Sequence, residues 1–158
     1  MSVRLRPLHD DELPDFIERG RASYARDMVA QAGLTPEQAE KKAESDWARL
    51  LPNGQISPGH HLFAVEEEDT GERVGDLWLA ERSSDFEGTA AFVYSIEVYE
   101  PFRGRGYGRQ AMLLAEDEVR ARGLSHIALN VFGGNEVARS LYHSLGYVET
   151  AVFMRKAL

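Results

Sequence analysis

A ten-residue apolar run, Ala90 to Tyr99, leads into Glu100-Pro101-Phe102-Arg103-Gly104-Arg105-Gly106-Tyr107-Gly108-Arg109. A helical pattern to Arg122 leads out, and a second apolar run, Ile127 to Phe132, follows. Strand, turn, helix and strand in that order force a crossover, which pairs the two strands in parallel. The turn holds glycines at alternate positions and three arginines. Such a turn offers backbone N–H groups at the positive end of a helix, which suits a phosphate or pyrophosphate. Its glycines remove the side chains that would hold an anion away from the main chain.

The rest of the chain builds around that unit. Val3-Arg4-Leu5-Arg6 alternates as a half-buried strand and stops at Pro7. Asp10 or Asp11 can cap a helix with Leu13, Phe16, Ile17, Tyr24 and Met28 at helical spacing and Gly33 as its stop. Gly20 weakens that helix and predicts a bend or break. Thr35-Pro36-Glu37-Gln38 is a capping box with proline at the first helical position, and Ala39, Ala43, Trp47, Leu50 and Leu51 follow on one face. Leu62 to Val65 and Arg73 to Glu81 read as a hairpin across the acidic run Glu66 to Glu72, taken as a solvated tip. Ser83 to Gly88 is a second polar connection. His60-His61 falls in a loop with no partner at metal-ligand spacing, so no metal is expected. Asn135 caps a short helix ending at Gly146, and Tyr147-Val148 and Ala151 to Met154 read as closing strands.

The order β, α, α, β, β, β, α, β, α, β predicts one α/β (α+β) domain with a mixed, mostly antiparallel sheet and helices on both faces. A chain of 158 residues suits that. Net charge −8 argues against nucleic acid as a partner, since phosphate contacts need a basic face. The absence of cysteine excludes disulfides, thiolate metal sites and a cysteine nucleophile. With no long apolar segment and no signal-peptide pattern, a cytoplasmic protein without a membrane partner is expected.

Three anion sites compete for the glycine turn. A P-loop is excluded because the Gly-Lys-Ser/Thr ending is missing. A dinucleotide fold places this turn after its first strand and an acid roughly 20 residues on. Here the turn comes after position 100 and the next strand ends Asn130-Val131-Phe132. An acyl-coenzyme A site remains. Arg103-x-x-Gly106-x-Gly108, followed by Asn135-x-x-Ala138-x-x-Leu141-Tyr142-x-x-Leu145-Gly146-Tyr147, resembles the two signatures of the GNAT superfamily of acyl-CoA-dependent N-acyltransferases. The resemblance is firm from Phe92 to Tyr147 and loose before it.

It implies acetyl transfer from acetyl-CoA, as co-substrate, to a primary amine on a small molecule or peptide, by direct attack in a ternary complex. A non-catalytic acyl-CoA sensor is the alternative. It also implies residues 1–60 as a strand and two acceptor-side helices, residues 90–147 as the acyl-CoA core, and a possible homodimer. Arg103, Gly104, Arg105, Gly106, Tyr107, Gly108 and Arg109 fall at the pyrophosphate. Val98 and Tyr99 fall at the pantetheine, with a backbone N–H near Val98 at the acyl carbonyl. Asn130, Asn135 and Ala138 fall at the cofactor's other side; Asn135 either touches it or only caps its helix. Arg105 either meets phosphate or is solvated. Tyr142 matches the acid that protonates the leaving thiolate; otherwise it is a core tyrosine. Glu97, the ionisable residue of its apolar strand, is the candidate base; otherwise it faces solvent. Tyr24, Met28, Trp47, Tyr94 and Met154 are candidates for the acceptor pocket, with core packing the favoured reading for Trp47 and Met154.

Overall fold

Local start and stop signals set the helix ends in the computed structural model, which describes residues 1–84 and 88–158. Helix α1 (Leu13–Ala32) closes at Gly33, whose left-handed φ of 72° lets its N–H reach the Met28 carbonyl. Helix α2 (Pro36–Leu50) starts at the Thr35 capping box: the Thr35 hydroxyl accepts from the Gln38 N–H, and the Gln38 side chain accepts from the Thr35 N–H. The bend expected at Gly20 does not occur, and α1 runs through it. The glycine is there for packing: a Cβ at position 20 would lie 2.0 Å from Cη2 of Trp47. The outer end of the Trp47 ring therefore abuts α1 at Gly20, and the ring lies 4.9 Å from Trp78 and 6.0 Å from Phe16.

Strands β1 (Val3–Pro7), β2 (His60–Glu67), β3 (Arg73–Ser84) and β4 (Gly88–Val98) pair antiparallel in sequence order. The short β5 (Ile127–Leu129) joins β4 in parallel, after helix α3 (Tyr107–Ala121). Helix α4 (Glu136–Ser144) follows. The result is one domain, a five-stranded mixed open sheet with helices on both faces. Strand alternation divides the core. Val65, Leu77, Leu79 and Val93 meet Ala111, Met112 and Ala115 of α3. Leu62, Ala64 and Trp78 meet Phe16 and Trp47 of α1 and α2.

Further sequence expectations need correction. The acidic run is not a solvated tip throughout. Glu66 and Glu67 end β2 and are 6% and 3% exposed. Arg4 and Arg6 hold Glu66, and the Tyr107 and Thr70 hydroxyls donate to Glu67. His60 and His61 are not a loop but the half-buried start of β2, where Nδ1 of His60 accepts from the Trp78 indole at 2.9 Å. The strand expected through Phe132 stops at Leu129. The closing strands do not form: residues 148–158 enter no strand pairing among the described residues and are exposed. Of the connection expected at 83–88, Ser83 and Ser84 belong to β3 and Gly88 to β4; residues 85–87 lie outside those described.

Candidate active site

The β4–β5 ladder pairs Ala91 with Ile127, Phe92 with Ala128 and Val93 with Leu129, then ends, while β4 runs on to Val98. The divergence begins at a bulge. Trp78 stands opposite Ser95 and Leu79 opposite Val93, so Tyr94 is an extra residue on β4. A bulge bends its strand and re-aims its groups. Beyond it, the Tyr99 N–H bonds the Val74 carbonyl at 2.8 Å. By strand alternation the main-chain groups of Ile96 and Val98 then point away from β3, into the gap that β5 has left. The Val98 carbonyl is met there by Nε of Arg103 at 2.9 Å.

The glycine turn closes the end of this gap. Gly104 and Gly106 have φ of 77° and 81°, with nothing within 4 Å of where a Cβ would stand. Left-handed backbone, rather than crowding, demands glycine there. Gly106 is the N-cap of α3 and offers no side-chain bond, so the first N–H groups of α3 have no intrahelical partner. Gly108 is within the helix, and a Cβ on it would make ordinary contacts with Leu141 and Val98. The turn is tied to the sheet through Tyr107, 3% exposed, whose hydroxyl donates to the buried Glu67. Position 107 thus offers an anion its main chain, not its phenol. Arg103 and Arg105 keep 59% and 51% of their side-chain surface exposed, and Arg109 donates to the Ser144 hydroxyl at 2.8 Å. Open space, free N–H groups and flexible cations are what a pyrophosphate requires.

A cleft of about 560 Å³ runs from the splay to the α1–α2 side. Asn130, Asn135, Ala138 and Tyr142 line one wall, and Tyr24, Asp27, Asp46, Trp47, Trp78, Phe92 and Tyr94 line the other. Tyr142 is half-buried, its ring 5.8 Å from Tyr147, and burial pushes its phenol pKa up. Tyr94, swung out by the bulge, packs 5.0 Å from Trp78, 4.8 Å from Phe92 and 5.7 Å from His60. Tyr24 donates to Asp46 at 3.0 Å; burial and that bond raise its phenol to about 12. Asn135 caps α4, accepting from the Ala138 N–H at 3.2 Å.

Glu97 does not face solvent, since its side chain is 13% exposed. It stands opposite Asp76, which Arg73 and the Tyr99 hydroxyl hold. Burial, and then the neighbouring Asp76 charge, raise the Glu97 pKa. No hydrogen bond engages the Glu97 carboxylate among the described residues; its contact is Arg103 at 3.9 Å.

Of the residues singled out in the sequence, Tyr24, Tyr94, Asn130, Asn135, Ala138 and Tyr142 meet in one cleft, with the glycine turn at its end. Met28 is elsewhere, buried among Ala39 and Ala43 between α1 and α2. Met154 is 85% exposed, whereas Trp47 both packs in the core and lines the cleft. Asp27, Asp46, Phe92 and Trp78 were missed. Asp27 lies three residues after Tyr24 and so shares its helix face. Trp78 was hidden between Leu77 and Leu79, because β3 is covered on both faces.

This chain belongs to the acetyltransferase (GNAT) family, whose model matches residues 16–147, and is an acyltransferase of that type. It is 33% identical over 160 residues to an uncharacterized N-acetyltransferase of Bacillus subtilis, YycN, covering all of both chains. It is 32% identical over 158 residues to another from the same organism, YdgE, covering 100% of this chain and 99% of that one. The crystal structure of YycN superposes with a TM-score of 0.90 at 32% identity, covering 99% of each chain.

Proposed function

We propose that this chain transfers an acetyl group from acetyl-CoA to a primary amine, on a small molecule or a peptide, by direct attack in a ternary complex. The observation that carries this is the free edge of β4. Past Val93 no strand among the described residues pairs with it on one side, and that side opens onto the glycine turn at one end and the aromatic cleft at the other. Residues 103–109 would hold the pyrophosphate, chiefly through main-chain N–H groups. The edges of Ile96 and Val98 would pair with an extended amide chain, as a neighbouring strand would, once Arg103 leaves the Val98 carbonyl for a phosphate. Asn130, Asn135 and Ala138 flank the opposite side. When bound, the thioester supplies an acyl carbon open to attack.

The protein's own groups then do three things. A free N–H of β4 polarises the carbonyl where negative charge develops. Glu97 takes the proton of the incoming ammonium, directly or through water, helped by its raised pKa. Tyr142, held protonated at neutral pH by burial, donates to the departing thiolate. On this reading residues 90–147 carry the donor and residues 1–60 shape the acceptor side.

Incubation with acetyl-CoA and a panel of amino acids, polyamines, aminoglycosides and peptides should release free thiol. Tyr142→Phe should lower kcat by about 100-fold while calorimetric affinity for acetyl-CoA stays within about twofold. Binding without thiol release for every amine would point to a non-catalytic sensor, and no binding at all would remove both readings.

A further inference from the structure

The two histidines that open β2 face opposite ways, as strand alternation requires. His61 turns toward Glu81, 4.0 Å away. His60 meets two rings of the aromatic cleft, and three contacts fix it. Its N–H donates to the Ser57 carbonyl at 3.1 Å, and the Ser57 hydroxyl donates to the Leu50 carbonyl at the end of α2 at 2.8 Å. Its Nδ1 accepts from the Trp78 indole at 2.9 Å. Its ring stacks on Tyr94, with 5.7 Å between centres and 12° between planes. Strand β3 lies between β2 and β4, but opposite His60 it carries Ala80, a side chain small enough for the two rings to meet. Trp78 is 1% exposed, and its indole nitrogen can only donate. Without Nδ1 of His60 that N–H would be buried with no acceptor among the described residues. The bond also sets the tautomer: Nδ1 is bare, Nε2 carries the proton and the imidazole is neutral. Burial, and then His61, push the His60 pKa down, which keeps the ring neutral at pH 7.

We infer that His60 is a positioning residue for the acceptor: it holds Trp78 through the indole bond and Tyr94 through the stack, and so sets the shape of the wall against which the amine lies. The inference rests on the cleft being the acceptor side of an acetyltransferase. Tyr94 needs such a hold, because it is the extra residue of the β4 bulge and no residue of β3 stands opposite it. Trp78 carries the hold further, since its ring also lies 4.9 Å from Trp47 and 6.3 Å from Phe16. One imidazole thus braces rings from β3, β4, α1 and α2. An apolar residue at position 60 would supply packing alone; histidine adds a direction. His60 acts through the two rings, not on the substrate.

The test is steady-state kinetics on wild type, His60→Leu and His60→Asn. The acceptor is the member of the amino acid, polyamine, aminoglycoside and peptide panel that gives the fastest thiol release. Leucine loses both the bond and the stack, whereas asparagine keeps an oxygen close to where Nδ1 stood. His60→Leu should raise the acceptor KM by about 10-fold, while kcat and acetyl-CoA affinity stay within about twofold. His60→Asn should bring that KM back to within about threefold of wild type. The chain has two tryptophans, so the Trp78 indole proton can be followed by NMR. Its exchange with solvent should quicken by about tenfold or more in His60→Leu and stay slow in His60→Asn. If His60→Leu does not fold by circular dichroism, His60→Phe takes its place, since a phenyl ring can stack but cannot accept. An unchanged acceptor KM in the variant without an acceptor overturns the inference. So does an equal loss in kcat and acetyl-CoA affinity, which is a general loosening of the fold, or an asparagine variant that behaves as the leucine one does. A wild type that releases thiol with no amine removes the acetyl-transfer reading itself, and this inference with it.

Discussion

The glycine turn and the wall of the aromatic cleft solve opposite problems by opposite means. The turn is seven contiguous residues, 103–109, whose useful surface is main chain, locked to the sheet by the Tyr107–Glu67 bond. The wall is assembled from side chains of α1, α2, β3, β4 and the segment after β5, brought together from separate stretches of the chain. Recognition by main chain is encoded locally, in the residues that permit the backbone shape. Recognition by side chains is encoded in register and packing.

Glu97 belongs to neither region, standing behind the splay, so its loss should strike turnover and leave both binding functions. Glu97→Gln should lower kcat by about 10²–10⁴-fold, the usual range for a general base. The sign of its pH dependence follows from its environment. Burial and the Asp76 charge raise its pKa above the ordinary carboxylate value, so the base is lost as pH falls through that raised value. The wild-type pH–rate profile should therefore carry an acidic limb above the ordinary glutamate range, and the variant should lack it. An unchanged limb would return Glu97 to a strand residue beside Asp76.

That contrast also explains what could be read in advance. The strand, glycine turn and helix were visible because each rests on short-range rules: an apolar run, left-handed glycines, a cap. Thr35 and Asn135 were visible as caps for the same reason. Trp47 could be named but not decided between cleft and core, because its position depends on Gly20 opposing it across two helices. Glu66 and Glu67 read as solvated because their partners, Arg4, Arg6 and Tyr107, lie 40 or more residues away. The Tyr94 bulge is a register event between β3 and β4 and leaves no local mark. The closing strands expected at Tyr147-Val148 and Ala151 to Met154 do not form, because a strand needs a partner edge as well as local propensity.

Within the turn, two glycines separate backbone shape from mere space. Gly106→Val puts a β-branched residue at φ 81° and a side chain where an anion would approach, so acetyl-CoA affinity should fall by about 100-fold or more in calorimetry. Gly108→Ala adds a Cβ at ordinary contact distance within a helix and should change affinity less than threefold, with a slight gain in stability. Equal losses in both would mean that the anion lies further along α3 than the turn.

The wall yields the smallest and most selective effect. Asp46 is already committed, to Tyr24 and Lys42 at 3.0 Å each and to Arg49 at 3.7 Å. Asp27 lines the same cleft, and no hydrogen bond or ion pair engages it among the described residues. A carboxylate in the same cleft as the rings of Tyr94 and Phe92 suits an acceptor bearing a second cationic group, which would gain charge attraction and a π-face together. Asp27→Asn should raise the KM of a diamine acceptor by about 5–10-fold, roughly 1–1.4 kcal/mol. It should leave the KM of a monoamine, kcat and acetyl-CoA affinity within about twofold. Asp46→Asn should instead loosen α1 from α2 and lower Tm with little selectivity between acceptors. If Asp27→Asn moves both amines alike, the carboxylate serves the overall field of the cleft, and selectivity lies with the aromatic side chains.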